Sequence, residues 1–281
     1  MDSKPYHPIG IFDSGYGGLT ILREICRSLP QYDYLYLGDN ARAPYGERSM
    51  ETVYRFTLEA VKALFIRGCN LVILACNTAS AKALRSIQQN DLPEFWEADH
   101  NSLKRVLGVI IPSVEIIGDM SINGHVGVLA TKGTVASESY ILETAKYHPQ
   151  LTVTAEACPM WVPLVEYGES NSAGADFFIK KHIDNLMTKD PLIDTILLGC
   201  THYPILLEKI NKYVPEGVKI VAQGEIIANS LKDYLGRHSE IEKECSKGGK
   251  VKFLTTESND KFAESATTFL GKAVQAERIS L

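Results

Sequence analysis

The chain has 281 residues, 45% of them hydrophobic and 22% charged; this size and composition predict about two globular domains and exclude disorder, collagen and coiled coil. Lysine and arginine number 29 against 34 acidic residues, a formal charge of −5, so there is no positive excess to meet a phosphate backbone and nucleic acid is not expected as a partner. The longest apolar stretch, around Leu71 to Cys76, falls far short of the roughly 18 to 20 residues of a membrane span, and Met1-Asp2-Ser3-Lys4-Pro5 leads toward a strand with no apolar signal segment, so no membrane partner and a cytoplasmic location are expected.

The first strand is Ile9-Gly10-Ile11-Phe12. It runs into the turn Asp13-Ser14-Gly15-Tyr16-Gly17-Gly18 and then a helix with Leu19, Leu22, Ile25 and Leu29 on one face. A second strand, Tyr34-Leu35-Tyr36-Leu37, is followed by a loop from Gly38 to Gly46. Ser49 is placed to cap a helix carrying Val53, Phe56, Ala60 and Leu64, and Gly68 to end it. A third strand, Leu71-Val72-Ile73-Leu74, ends at Ala75-Cys76-Asn77-Thr78. Pro93 to Lys104, with Trp96 and His100, interrupts the periodic pattern and reads as a surface insertion before a strand from Val106 to Ile111.

The second half repeats this plan. Val126-Gly127-Val128-Leu129-Ala130-Thr131 matches Ile9 to Ser14 at an offset of 117, and Thr195-Ile196-Leu197-Leu198-Gly199-Cys200-Thr201-His202 matches Leu71 to Thr78 at an offset of 124. Nearly equal offsets predict a duplicated α/β unit, hence two similar parallel-sheet α/β domains with a cleft between them. The expected division is 1–108 and 109–220, with 221–281 returning to the first domain. The stretch 240–260 is charged and contains Gly248-Gly249, and 261–272 reads as an amphipathic helix.

In sheets of this kind ligands bind beyond the carboxyl ends of the strands, which singles out Asp13-Ser14-Gly15, Pro44-Tyr45-Gly46, Cys76-Asn77-Thr78 and Cys200-Thr201-His202. The six cysteines are scattered with no CxxC pair, so disulfides are not expected. One buried thiol is usually just a small apolar group. Two at equivalent points of two repeated units would instead face each other across the cleft. Cys26, Cys69, Cys158 and Cys245 lack that setting and read as structural. Each thiol of the pair is expected before a helix start, where free N–H groups bind anions and favour a thiolate.

Asp13 suits a cationic group on a ligand, or a helix cap. Tyr45 and Gly46 form either a carboxylate-binding turn or a simple one. Asn77, Thr78 and Thr201 are short donors at helix starts, where capping would also explain them. His202 is close enough in sequence to share a proton with Cys200. Glu166, an acid after an apolar run, reads on its own as a surface residue. A zinc site from Cys76, Cys200 and His202 has no close-spaced ligand pair beyond Cys200-Thr201-His202, so no metal is expected.

Phe12-Asp13-Ser14-Gly15-Tyr16-Gly17-Gly18-Leu19, Gly38-Asp39, Pro44-Tyr45-Gly46, Ala75-Cys76-Asn77-Thr78-Ala79 and Leu198-Gly199-Cys200-Thr201-His202-Tyr203-Pro204 stand in that order, and together they resemble the glutamate racemases of the aspartate/glutamate racemase superfamily from about Ile9 to Leu235. The resemblance implies a cofactor-independent racemase, a homodimer, with Cys76 and Cys200 as the two acid/base residues. Asp13 and His202 would assist them and Glu166 would support His202. Asp13, Ser14, Tyr45, Gly46, Asn77, Thr78, Thr201 and His202 would contact glutamate, with Thr131 and Thr134 as further candidates. It also implies a supply of D-glutamate for peptidoglycan. The matches are less clear at Pro93 to Lys104, at Ala222-Gln223-Gly224 and in the C-terminal segment. Rival readings are an aspartate racemase, a decarboxylase or amidohydrolase using a cysteine nucleophile, and a non-catalytic amino-acid binder.

Overall fold

The computed structural model describes residues 6–98 and 103–281. Among the described residues there are ten strands: β1 Ile9–Asp13, β2 Tyr34–Gly38, β3 Leu71–Leu74, β4 Arg105–Gly108, β5 His125–Ala130, β6 Thr152–Ala157, β7 Thr195–Gly199, β8 Lys219–Val221, β9 Val251–Thr255 and β10 Glu277–Arg278. They build one six-stranded sheet, β10-β9-β2-β1-β3-β4, and one four-stranded sheet, β6-β5-β7-β8. Every pairing within the two sheets is parallel. The order β2-β1-β3-β4 reappears as β6-β5-β7-β8, so β1 corresponds to β5 and β3 to β7, the pairs that the sequence offsets align. Two parallel-sheet α/β units are the observed fold.

The strands alternate as sheets covered on both faces require. Ile9, Ile11, Tyr34, Tyr36, Leu71 and Ile73 enter one apolar core, and Phe12, Leu35, Leu37, Val72 and Leu74 another. The first of these cores is shared with the second sheet, because Leu129, Ile196 and Leu198 also belong to it. Val126, Val128 and Leu197 face a third core on the opposite side. Each sheet therefore turns one face toward a common interior that fixes the cleft.

Local signals account for the helix boundaries. Ser49 caps the helix Met50–Ile66 by accepting from the Thr52 N–H at 3.2 Å. The chain leaves that helix through Gly68 at φ +91°, where a Cβ would lie 2.6 Å from the Tyr6 carbonyl oxygen. The segment expected as a surface insertion differs in its first part: Leu92–Ala98 is a helix, with Leu92 buried and the Phe95 ring edge-on to Phe65 at 5.2 Å. Two apolar anchors let it pack. Residues 99–102 of that segment, His100 among them, lie outside the described residues.

The charged stretch from 240 supplies β9, which pairs with β2 in the first sheet. The amphipathic helix runs over Asn259–Leu270, buries Phe262, Ala266 and Phe269, and stops at Gly271 with φ +71°. All six cysteines are free thiols. Among the described residues no helix is long and apolar enough to cross a membrane.

Candidate active site

The carboxyl ends of β1, β3 and β7 converge on one cavity, with room of about 100 Å³ for the centres of water molecules. Its wall includes Ser14, Tyr45, Gly46, Cys76, Asn77 and Thr78 from the first half, and Thr131, Glu166, Cys200, Thr201 and His202 from the second. Asp13 and Thr134 lie behind the wall, fully buried or nearly so. The two thiols predicted to form a pair thus share one small enclosed space.

Cys76 is the N-cap of the helix Asn77–Lys82. Its Sγ accepts from the Ala79 N–H at 3.4 Å and is hydrogen-bonded to Ser14 Oγ at 3.3 Å. Burial, then the negative charge of Asp13, push the thiol up to about 12, against the opposing effect of those two hydrogen bonds. At neutral pH it holds its proton.

The second thiol departs from the expected helix start. Cys200 is followed by the turn residues Thr201 and His202, then by a short 3₁₀ helix, Tyr203–Leu206, that leads directly into the helix Leu207–Tyr213. Pro204, which has no N–H to donate, stands at the start of the 3₁₀ segment. The charge next to Cys200 comes from a side chain instead. His202 Nδ1 is 4.0 Å from Cys200 Sγ, and its Nε2 is 2.9 Å from Glu166 Oε1. Burial pushes the imidazole down, but the contacts with Cys200 and Glu166 outweigh burial and carry it up to about 10, so His202 is an imidazolium at neutral pH. Glu166, the last residue of the helix Trp161–Glu166, is therefore more than the surface acid its local sequence suggests.

Asp13 is completely buried and accepts from the Gly15 N–H at 2.9 Å and from Thr201 Oγ1 at 3.4 Å. Burial raises its pKa, opposed by the charge of His202 and by the N–H groups of Gly15 and Gly18. It does not cap the following helix, whose N-cap is Gly18. The glycines of this loop allow a close approach between the halves. A Cβ on Gly17 would collide with Thr201 Oγ1 and the His202 ring, and one on Gly18 with Asp13.

The remaining candidates form two groups. Thr78, Thr131 and Thr134 make a ring of hydroxyls at 2.9, 3.3 and 3.1 Å that joins the halves. Beside it, the Gly46 carbonyl accepts from the Gly133 N–H at 2.8 Å. Tyr45 turns its hydroxyl away from the cavity to donate to Asp39. Asp39, which the sequence offers only as part of a motif, is fully buried and also accepts from Arg42 Nε at 2.6 Å and Thr256 Oγ1 at 2.9 Å. This anchor fixes the loop that offers Tyr45 and Gly46. Its sequence signal is its place just after β2, matching Asp13 at the end of β1.

Two further residues were missed. Cys158, read as structural, is part of the cavity wall, although burial pushes its thiol well above the usual range. Gln223 holds Asn77 through a 2.7 Å hydrogen bond from Asn77 Nδ2. No group of three or more His, Cys, Asp and Glu among the described residues has the arrangement of a metal site. A larger cleft of about 440 Å³, near Leu84, Ile111 and Leu231, contains none of the predicted residues.

Residues 18–231 match the model of the Asp/Glu/Hydantoin racemase family. The chain belongs to this family. It is 40% identical over 279 residues to a glutamate racemase of a Ruegeria species, covering 96% of this chain and 98% of that one. Its structure is similar to that of a glutamate racemase of Bacillus anthracis, with a TM-score of 0.87, 34% identity and 99% of both chains covered. It is also similar to a glutamate racemase of Francisella tularensis in complex with D-glutamate, with a TM-score of 0.82, 31% identity and coverage of 98% and 97%. These likenesses extend through the C-terminal segment, where the sequence motifs were least clear.

Proposed function

We propose that this protein is a glutamate racemase that needs no cofactor and works with two thiols, Cys76 and Cys200. The observation that carries the reading is that both thiols, from corresponding strand ends of the two sheets, line one cavity. The cavity is small and concave, with polar groups converging on it, as a site for a small amino acid requires. The Ruegeria and Bacillus relatives and the D-glutamate complex of the Francisella enzyme support the same substrate.

Inversion at a stereocentre requires a base on one face of Cα and an acid on the other. Cys200 as thiolate takes the α-proton, its charge neutralised by the imidazolium of His202, which Glu166 holds in place. Cys76 gives its proton to the opposite face, and the electron pair left on Cα forms the new C–H bond. The roles exchange in the reverse direction. The α-proton is weakly acidic, so fixed donors must stabilise the developing carbanion in a site that excludes water. The hydroxyls of Ser14, Thr78 and Thr201, and the N–H groups at Tyr45-Gly46 and at the start of the helix Asn77–Lys82, are suited to the two carboxylates. The buried carboxyl of Asp13 assists from behind the wall, through its charge on His202 and the hydrogen bond it accepts from Thr201.

The same reading includes the division into domains 1–108 with 221–281 and 109–220, a homodimer, a cytoplasmic location and a supply of D-glutamate for peptidoglycan. The test is incubation with L-glutamate in D2O without added cofactor, following α-deuterium by NMR and D-glutamate by chiral chromatography, with L-aspartate in parallel. Exchange with D-glutamate formation is expected from glutamate only. Cys76→Ser and Cys200→Ser are each expected to abolish turnover while leaving the fold intact. Exchange from aspartate alone would make it an aspartate racemase, and a trapped acyl-enzyme would make it a hydrolase.

A further inference from the structure

Behind Asn77 a buried ring of amide and hydroxyl groups joins segments that are far apart in the chain. Gln223, the first residue of the helix Gln223–Arg237, is 2% exposed. Its Oε1 accepts from Asn77 Nδ2 at 2.7 Å, and its Nε2 donates to Ser113 Oγ at 2.7 Å and to Tyr140 OH at 2.8 Å. Tyr140 OH donates to Asn77 Oδ1 at 2.6 Å and so closes the ring. Ser113 and Tyr140 stand in the helices Ile110–Met120 and Ser139–Tyr147, which pack with the second sheet.

The orientation of both amides follows from one backbone acceptor. The Val109 carbonyl accepts from Ser113 Oγ at 2.7 Å and lies 3.4 Å from Gln223 Nε2. A carbonyl cannot donate, so the nitrogen end of the Gln223 amide faces Val109 and Ser113, and its oxygen end faces Asn77. That arrangement turns the nitrogen of Asn77 to Gln223 and its oxygen to Tyr140. A buried amide is tolerated when its donors and acceptors are met, and a closed ring of such bonds holds its members in one geometry.

Asn77 is the first residue of the helix that Cys76 caps, and it lines the cavity, whereas Gln223 does not. With its oxygen and one Nδ2 hydrogen engaged, Asn77 keeps its second Nδ2 hydrogen and its backbone N–H for a bound molecule. Both are donors and suit a carboxylate oxygen.

We infer that Gln223 is a positioning residue for the substrate carboxylate, acting through the amide of Asn77. This inference rests on the racemase reading above. In Gln223→Met, which keeps the length of the side chain but removes its polar ends, KM for glutamate should rise about tenfold and kcat should fall less than about threefold. In an Asn77→Ala background the same change should move KM by less than about twofold, because the residue it acts through is gone. An unchanged KM in folded Gln223→Met, or a tenfold rise that persists in the Asn77→Ala background, would overturn the inference. Should Gln223→Met fail to fold, Tyr140→Phe releases the Asn77 amide from the other side and is judged by the same two outcomes. Lack of glutamate turnover by the unmodified enzyme would overturn the functional reading and the inference with it, whereas turnover without the KM response overturns the inference alone.

Discussion

Glu166→Gln keeps the shape of the side chain that holds His202 and removes its charge. In the unmodified protein the imidazole stands at about 10 although burial opposes its charge, and Glu166 is one of the two groups that hold it there. Its carboxylate is 2.9 Å from Nε2, with His202 and Glu166 side chains 6% and 22% exposed, so solvent screens the pair little. A hydrogen bond to a charged group contributes about 1.5–3 kcal/mol, and one pKa unit corresponds to about 1.4 kcal/mol. The His202 pKa should therefore fall by about one to two units. The raised folded-state pKa means that this group's stabilisation is complete below about 6.5 and disappears as pH rises through about 10. In the variant that loss should finish about one to two units earlier. NMR titration of the His202 ring, urea unfolding across pH 6 to 10, and the alkaline limb of kcat/KM would each report the shift. A folded Glu166→Gln enzyme in which the His202 titration and the alkaline limb stay where they were would refute the reasoning.

Gly17→Ala should lower kcat/KM by about 100-fold or more, since displacement of a site by about 1 Å costs that much, and the new methyl would stand in the place of Thr201 Oγ1 and the His202 ring. Near-normal kinetics in this variant would mean that the contact between the halves is looser than described. Tyr45→Phe removes a donor from fully buried Asp39. It should cost about 1–3 kcal/mol in urea unfolding and raise KM by loosening the loop at Gly46, while Arg42 and Thr256 keep Asp39 partly satisfied. Unaltered stability would remove Asp39 from its role as an anchor.

Most of the fold could be read from the sequence because its signals are local. Ile9, Ile11, Leu71 and Ile73 alternate with residues of the opposite core, Ser49 caps its own helix, and the repeated strand ends stand at nearly equal offsets. β9 escaped because its residues sit in a charged neighbourhood and Lys252 interrupts the apolar run, so only the pairing with β2 identifies it as a strand. In the site, Cys76 and Cys200 were legible as a pair through duplication, whereas Glu166 and Gln223 were not. Glu166 acquires its meaning from His202, 36 residues away, and Gln223 from Asn77, 146 residues away. No local pattern encodes such meetings. The delayed helix start after Cys200 belongs to the same class: the repeat predicts a helix directly after the thiol, as at Cys76, but the turn at Thr201-His202 and the 3₁₀ segment put it off to Leu207.

That departure has a kinetic side. The strand order is repeated, but the thiols sit in unlike company: a helix cap, a serine hydroxyl and a nearby carboxyl for one, an imidazolium for the other. L- and D-glutamate are enantiomers of equal free energy in achiral water, so thermodynamics requires kcat/KM to be the same from either side. It places no such demand on kcat and KM taken singly. For a two-thiol racemase on this scaffold the two proton transfers are chemically distinct, so each enantiomer would have its own turnover rate and its own deuterium isotope effect, a handedness of rate imposed by two units that share a strand order.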